Sequence, residues 1–170
     1  ILGASLLGRK DTGSELFGRH GYTATGLKAI VTESGAPVGS IYHFFPNGKE
    51  GLGVEAMLQS GRHFAELIEV VFDAEGDDVA SKSWRFFRGA AAVVEASGYA
   101  DACPIATVAA EVASSSEPMR EACMTAFTSW LTILEGRYTD AGIDPAEAHR
   151  LAVTAFCAIE GAFLLARTLR

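Results

Sequence analysis

Apolar side chains recur along this chain of 170 residues at intervals of three and four positions, the spacing of helices that bury one face. The alternation typical of strands is scarce, as are the residue pairs that close β-hairpins. Turn and cap signals divide the pattern into eight helices. The predicted helices span residues 9–20, 26–34, 38–44, 48–72, 79–97, 104–113, 117–141 and 145–170. We therefore predict an all-α fold.

Individual residues mark where several of these helices begin and end. Gly21 is predicted to stop the first helix, and Thr25 is placed to cap the second. Asn47 and Glu50 occupy the N-cap and N3 positions of the fourth helix, which is the arrangement of a capping box. Asp144 precedes a proline and opens the last helix. These signals support the boundaries given above.

Residues 25–50, TGLKAIVTESGAPVGSIYHFFPNGKE, carry the most specific pattern in the chain. Gly35 suits a tight turn between two helices, because glycine tolerates a positive φ there. When the segment is aligned on this glycine, apolar residues fall where two short crossed helices must bury side chains. These positions are Ile30, Ala36, Ile41 and Phe44. The segment therefore predicts a helix-turn-helix.

The second helix of such a motif offers its exposed side chains to nucleic acid. Here the residues predicted to face solvent are Val38, Gly39, Ser40, Tyr42 and His43, whereas Ile41, Phe44 and Phe45 are predicted to be buried. Three of the exposed side chains, Ser40, Tyr42 and His43, can donate a hydrogen bond to a phosphate oxygen. Thr25 and Lys49 lie at helix starts, where backbone N–H groups and the helix dipole favour an anion. The five solvent-facing residues and these two are the candidate DNA contacts.

Charge is distributed unevenly along the chain, whose net charge is −7. Residues 1–63 carry six Lys/Arg and five Asp/Glu, whereas residues 64–170 carry eight and sixteen. An acidic balance taken alone argues against a nucleic-acid partner, but the N-terminal part is free of the acidic excess. The asymmetry permits that part of the chain to approach a phosphate backbone.

The last predicted helix is apolar on more than one face, so it must be covered on both sides. One stripe consists of Leu151, Ala155, Ala158, Ala162, Leu165 and Leu169, and a neighbouring one of Phe156, Ile159 and Phe163. The small residues of the helix would let another helix approach closely. We expect one face to be buried within the protomer and the other in a homodimer. The alternative is an ordinary central core helix.

Aromatic residues concentrate in the middle and late helices and favour an apolar cavity for a small ligand. The candidate lining consists of Phe64, Phe87, Cys123, Met124, Phe127, Trp130, Phe156 and Glu160. Any single aromatic residue among them is more simply a core residue. The carboxylate of Glu160 is expected either to pair, with Arg88 or Arg137, or to face a ligand or solvent.

Other classes of site receive no support from the sequence. The four histidines show no metal-ligand or catalytic-triad spacing, and there is no glycine-rich phosphate loop, so we expect neither an enzyme nor a metal or cofactor. Cys103, Cys123 and Cys157 are widely spaced and odd in number, which favours small buried thiols in a reducing cytosol. The most apolar segment, residues 151–166, carries Glu160, so no membrane span is expected. A cytoplasmic protein fits these observations.

Two strings, GAPVGSIYHFFPNGKEGL at residues 35–52 and ADACPIATVAA at residues 100–110, resemble the TetR family of transcriptional regulators in its LmrA/YxaF-like branch. The resemblance implies a three-helix DNA-binding domain over residues 1–46 and a helical effector-binding and dimerisation domain over residues 47–170. It places Thr25 and Lys49 on phosphates, and Tyr42 and His43 in or beside the major groove. It also implies a four-helix bundle between two subunits, and a sixth helix that relays ligand binding to the DNA-binding domain.

Two residues depart from the family pattern. Val38 stands where many relatives have lysine and can make only an apolar contact, for instance with a thymine methyl group. Val31 stands where alanine is usual.

The sequence as a whole predicts a repressor that binds operator DNA as a homodimer and is released by a small apolar or aromatic effector. The alternative is a helical small-molecule-binding protein without DNA-binding activity.

Overall fold

The computed structural model describes residues 12–169, apart from the side chains of Val38 and Ser40. Within this range the regular secondary structure is entirely helical. The helices are α1 (Thr12–His20), α2 (Leu27–Ser34), α3 (Val38–Phe44), α4 (Gly48–Asp73), α5 (Val79–Ala96), α6 (Pro104–Val112), α7 (Glu117–Asp140) and α8 (Pro145–Leu169). The all-α prediction is confirmed. The predicted start of the first helix, at residue 9, lies outside the described residues.

Several predicted helix ends are confirmed by local geometry. Gly21, Gly35 and Gly142 adopt φ values of 82°, 64° and 89°, so they end the preceding helices in the left-handed region that favours glycine. Asp144 caps α8, because its Oδ1 accepts a hydrogen bond from the N–H of Ala146 at 3.0 Å. The chain therefore turns where the sequence signals indicate.

Thr25 does not cap α2 as predicted. The N-cap residue is Gly26, which makes no side-chain capping bond. The Thr25 side chain is only 3% exposed, and its hydroxyl donates to the carbonyl oxygens of Gly21 at 2.7 Å and Leu16 at 3.3 Å. It thus satisfies the carbonyl group of Gly21, just beyond α1, which the helix itself leaves without a partner.

Two other side chains differ from the prediction. Phe44 was expected to be buried, but it is 41% exposed, and Phe45 at 6% fills the core where α3 ends. The carboxylate of Glu50, expected to close a capping box, accepts a hydrogen bond from Ser116 Oγ at 2.7 Å. Glu50 therefore bonds to a residue far away in sequence instead of to its own helix start, and Phe44 lies at the surface.

The chain forms two compact units. The first comprises the described residues up to Gly61 together with Cys103–Ala126, and α1 packs there against α2 and α6. Its fully buried large side chains are Phe17, Ile30, Ile41, Leu52, Met57, Ile105 and Met119. The predicted division at residues 46 and 47 concerns functional domains and stays a prediction.

The second unit comprises Arg62–Ala102 and the described residues from Phe127 onward, and α5 packs there against α8. Its core is built around Trp130, which is 1% exposed and stacks on Phe156 with ring centroids 5.5 Å apart. Phe64 contacts the same tryptophan at 4.7 Å and also meets Phe86 at 5.8 Å. Such ring pairs stabilise a core beyond the area that they bury.

Length and composition alone would allow α8 to cross a bilayer, because an 18-residue window within it has a mean hydropathy of 1.5. One carboxylate, Glu160, does not change that composition, but a single helix of this kind is weak evidence for a span, so the expectation of no membrane span stays a prediction. Composition alone does not distinguish a membrane-spanning helix from a helix that is buried by other protein segments on two faces. The burial of each face of α8 within the protomer is therefore relevant to that distinction.

Helices α4 and α7 approach each other closely at Gly61. A Cβ added to this glycine would lie 2.7 Å from Ala126 Cβ and 3.3 Å from its Cα. Gly61→Ala is therefore expected to lower the free energy of unfolding by about 1–3 kcal/mol, as overpacked cores do. Urea denaturation followed by circular dichroism measures the change.

Gly89→Ala is the matched control, because Gly89 lies within α5 and an added Cβ meets nothing within 4 Å. At Gly89 the same substitution should raise the free energy of unfolding by roughly 0.4–1 kcal/mol, because alanine lowers the conformational entropy of the unfolded chain. Equal effects of the two substitutions would show that the α4–α7 approach does not constrain the fold.

Candidate nucleic-acid interface and ligand cavity

Helix α3 presents its polar side chains to solvent. Tyr42 is 63% exposed, and Gly39 and His43 are exposed as well. The His43 ring meets the Phe44 ring edge-on at 4.8 Å, so the exposed Phe44 supports the histidine. A phenol and an imidazole therefore stand side by side on a helix that follows a tight turn, the position from which a helix-turn-helix reads DNA. The side chains of Val38 and Ser40 lie outside the described part of the chain, so their predicted roles stay predictions.

Lys49, in the first turn of α4, is held in place by the turn between α1 and α2. Its ammonium donates to the carbonyl oxygen of Thr23 at 3.3 Å and lies 4.3 Å from the centroid of the Tyr22 ring. Burial lowers the pKa of Lys49 below its ordinary value, although the charge of Glu111 acts in the opposite direction. The Lys49 ammonium is thus partly removed from water, and its contacts with Thr23 and Tyr22 orient the side chain.

Glu111, on α6, contacts the same turn from the other side. Its Oε1 and Oε2 accept hydrogen bonds from the backbone N–H groups of Tyr22 at 3.0 Å and Thr23 at 2.8 Å. Burial would raise the pKa of Glu111, but these hydrogen bonds and the charge of Lys49 outweigh it and lower the pKa. Sequence reasoning missed Glu111, since nothing near it in the chain indicates a partner almost ninety residues away.

The residues predicted to line an effector pocket are divided between the two units. Phe64, Phe127, Trp130 and Phe156 meet ring to ring in the core of the second unit. Phe87 contacts Phe86 at the edge of this cluster. In these pairs the ring centroids lie between 4.7 and 6.5 Å apart, the distances of aromatic rings in contact.

Cys123 and Met124 belong to the first unit. Burial raises the pKa of the Cys123 thiol to about 11, and Met124 Sδ accepts from Arg120 Nη1 at 3.6 Å. Glu160, in the second unit, is half-buried. Arg137, one of its two suggested partners, forms an ion pair with Asp73 at 2.6 Å.

A cavity of about 190 Å³ lies between α5 and α8 in the second unit. Its lining residues are Phe87, Ala90, Ala91, Val94, Glu95, Tyr99, Ile159, Ala162, Phe163 and Ala166. Apart from Glu95 and the hydroxyl of Tyr99, the side chains around it are apolar. Tyr99 has φ of 64° and is the single residue other than glycine with positive φ in the described range. Strained backbone of this kind concentrates at functional sites.

The two predicted stripes of α8 face different surroundings. Phe156 and Ile159 are buried together with Ala148 and Ala152. In the other stripe Ala155 is half-buried, and the remaining members are exposed, namely Leu151, Ala158, Ala162, Leu165 and Leu169. The protomer alone therefore covers one face of this apolar helix and leaves a second open.

The three cysteines have different environments. Cys123 is buried, Cys103 is half-buried and Cys157 is exposed, so the expectation of three buried thiols is wrong for Cys157, which lies on an open side of α8. Cys103 Sγ accepts from the N–H of Ala106 at 3.4 Å and thereby caps α6.

In the described part of the chain no group of three His, Cys, Asp or Glu side chains could hold a metal ion.

Comparison with known families gives two matches. A model of bacterial regulatory proteins of the tetR family matches residues 11–56, which include α1 to α3. A model of the C-terminal domain of LmrA/YxaF-like transcriptional regulators matches residues 80–170. The two matches lie on either side of the middle of α4.

Similar proteins agree with these models. The chain is 39% identical to YxaF, an uncharacterised HTH-type transcriptional regulator of Bacillus subtilis (strain 168), over 92% of this chain and 82% of that protein. It is 33% identical to the HTH-type transcriptional regulator LmrA of the same organism, over 91% of this chain and 82% of that one.

Solved structures share the fold. Regulatory protein TetR from Rhodobacter sphaeroides superposes with a TM-score of 0.85 at 22% identity, covering 98% of this chain and 88% of that chain. A TetR transcriptional regulator from Legionella pneumophila gives 0.81 at 23% identity, covering 96% and 85%.

Proposed function

We propose that this chain, which belongs to the TetR family of bacterial regulatory proteins and to its LmrA/YxaF-like branch, is a ligand-responsive repressor. Members of the family are transcriptional regulators that bind DNA, a class that is not enzymatic, and they work in the cytoplasm. In our proposal the protein binds operator DNA as a homodimer and leaves it when a small apolar or aromatic effector binds. The observation that carries the proposal is the helix-turn-helix with Tyr42 and His43 exposed on α3.

The DNA interface consists of α3 and the starts of the helices on either side of it. Tyr42 and His43 donate hydrogen bonds to bases or phosphates, and Gly39 lets the DNA backbone approach closely. Lys49 neutralises a phosphate. Val38 and Ser40 belong to the same interface through their places on α3, and the buried hydroxyl of Thr25 contributes by fixing the α1–α2 turn.

The dimer forms through the open stripe of α8. Its leucines at positions 151, 165 and 169 are exposed in the protomer, and the alanines at positions 155, 158 and 162 between them permit close helix contact. A second copy related by a two-fold axis would cover the same stripe on both chains. Two recognition helices held in this way could read two half-sites of a palindromic operator.

The effector binds beside the aromatic cluster rather than within it. The cavity between α5 and α8 has apolar walls and about 190 Å³ of space, and a buried apolar cavity of similar size holds a benzene-sized ligand. Tyr99 and Glu95 are the polar groups that could orient a hydroxyl or amine on that ligand. Phe87, from the pocket proposed on the sequence, lines the cavity, and the ring cluster around Trp130 supports its wall. Cys123, Met124 and Glu160 stay candidates that lie outside this lining.

DNA binding is tested by fluorescence anisotropy on duplexes tiled across the DNA that flanks the gene, with nonspecific competitor present. One duplex should bind tightly, with an affinity that falls steeply as salt rises. Lys49→Gln should weaken binding and reduce the slope of log affinity against log salt by about 1. Lys82→Gln is the control, because the Lys82 ammonium also donates to a carbonyl oxygen, that of Phe72 at 2.7 Å, but lies in the second unit.

Uniformly weak binding of every duplex by the wild-type protein would count against the repressor. It would favour the alternative, a helical small-molecule-binding protein without DNA-binding activity.

The dimer is tested with two neighbouring leucines. Leu165→Glu places a carboxylate in the open stripe, so light scattering after size exclusion should show a monomer and operator affinity should fall. Leu164→Glu is the control, since Leu164 is 68% exposed and Leu165 57% exposed, but Leu164 lies outside the stripe. The same oligomeric state for both variants would refute the proposed interface.

The effector cavity is tested with fluorobenzene as a ring-sized probe, observed by ¹⁹F NMR. Ala90→Phe fills the cavity and should weaken probe binding at least about ten-fold, because the probe can no longer bury its apolar surface there. Ala92→Phe is the control, because Ala92 is exposed on the same helix and is not part of the lining. Equal binding by both variants would place the ligand elsewhere.

A further inference from the structure

The turn that joins α1 to α2 is held by an acidic side chain from α6. The N–H groups of Tyr22 and Thr23 donate to the two oxygens of Glu111, at 3.0 and 2.8 Å. One carboxylate thus binds two successive backbone groups, an arrangement that fixes both the position and the orientation of the dipeptide. Hydrogen bonds of this charge-assisted kind are about twice as strong as neutral ones.

The turn lies directly against the Glu111 carboxylate at Gly21. Gly21 has φ of 82°, and a Cβ at this residue would collide with the Glu111 carboxylate. On its other side the turn is tied to α1, because the Thr25 hydroxyl donates to the carbonyl oxygen of Gly21 at 2.7 Å. The dipeptide that Glu111 binds is therefore fixed at both ends.

The same dipeptide binds Lys49. The carbonyl oxygen of Thr23 accepts from the Lys49 ammonium at 3.3 Å, and the centroid of the Tyr22 ring lies 4.3 Å from that ammonium. In these contacts Lys49 and Glu111 each bind a different edge of the dipeptide. A displacement of Tyr22 and Thr23 would remove the acceptor and the ring that direct the lysine.

We infer that Glu111 is a positioning residue for Lys49: by binding the Tyr22–Thr23 dipeptide it holds the Lys49 ammonium in the direction from which it meets a DNA phosphate. The last step rests on the proposed function, whereas the arrangement within the first unit does not. Without the carboxylate the dipeptide loses both backbone acceptors, and Lys49 becomes an ordinary mobile surface lysine. Glu111 then acts on DNA affinity without touching DNA.

A double-mutant cycle on operator affinity tests the coupling. Glu111→Gln should weaken binding about ten-fold, the scale of one lost charged hydrogen bond. The same change made in a Lys49→Met background should produce little further loss, because the group that it positions is already absent. Glu117→Gln is the control, since Glu117 lies in the same unit but pairs with Arg120 on its own helix. Additive losses, or no loss in Glu111→Gln, would overturn the inference.

A second readout needs no DNA. In the wild-type protein burial lowers the pKa of Lys49, and the Glu111 charge raises it. If Glu111 supplied charge alone, Glu111→Gln would lower the Lys49 pKa further. If it positions the lysine, the ammonium is released into water and its pKa rises toward the ordinary value. NMR titration of the Lys49 side chain measures the direction, and a fall or no change contradicts the inference.

The two experiments separate the inference from the proposed function. If the wild-type protein binds no operator, the proposed function fails, and the Lys49 titration still decides whether Glu111 positions the lysine. If the wild-type protein binds an operator and Glu111→Gln behaves like Glu117→Gln, the inference fails and the repressor stands. Circular dichroism melts of each variant confirm that it is folded, and Glu111→Ala provides a second substitution if the glutamine retains one hydrogen bond.

Discussion

The first unit depends on the satisfaction of backbone groups at the turn between α1 and α2. A helix end leaves carbonyl groups without partners, and the turn that follows it leaves N–H groups in the same condition. Here Thr25 donates to the carbonyl oxygen of Gly21, and Glu111 accepts from the N–H groups of Tyr22 and Thr23. Because α6 supplies Glu111, a segment far away in sequence completes the backbone hydrogen bonding of the three-helix region. These hydrogen bonds lie within the compact unit that α6 shares with α1 to α3, to whose core α6 also contributes the buried Ile105 and Val108.

The second constraint is the composition of α8. A helix that is apolar on several faces is stable in water only when each face is covered, and the protomer buries the face that carries Phe156 and Ile159. Fully burying an exposed leucine side chain contributes about 1.5–3 kcal/mol, and the leucines of the open stripe are 38%, 57% and 74% exposed, so covering them would contribute part of that amount for each. The three alanines that lie between Leu151 and Leu165 in the stripe would let a second helix approach closely. A two-fold dimer satisfies this need with the same residues on both chains.

The sequence predicts the helices well because helix ends depend on neighbouring residues. Gly21, Gly35 and Asp144 act through their own φ angles or through N–H groups two or three residues away. Thr25 and Phe44 were predicted less well: the Thr25 hydroxyl bonds back to carbonyl oxygens at the end of α1 instead of capping α2, and the core position at the end of α3 is taken by Phe45 instead of Phe44. Glu111 could not be found, because its partners lie almost ninety residues earlier and carry no side-chain signal. The aromatic residues around Trp130 were recognised as a set, but composition does not tell a filled cluster from the wall of a cavity.

The environment of Lys49 has two opposing effects on a lysine that is to bind phosphate. Partial burial disfavours the ammonium and lowers its pKa, whereas the nearby charge of Glu111 favours it. In return, the Thr23 carbonyl and the Tyr22 ring restrict the side chain before any phosphate arrives. An unrestrained lysine loses about 1.5–2 kcal/mol of rotamer entropy when it is immobilised, and a lysine that is already directed loses less. The carboxylate on α6 therefore serves both requirements at once, since it offsets the desolvation and fixes the dipeptide that directs the cation.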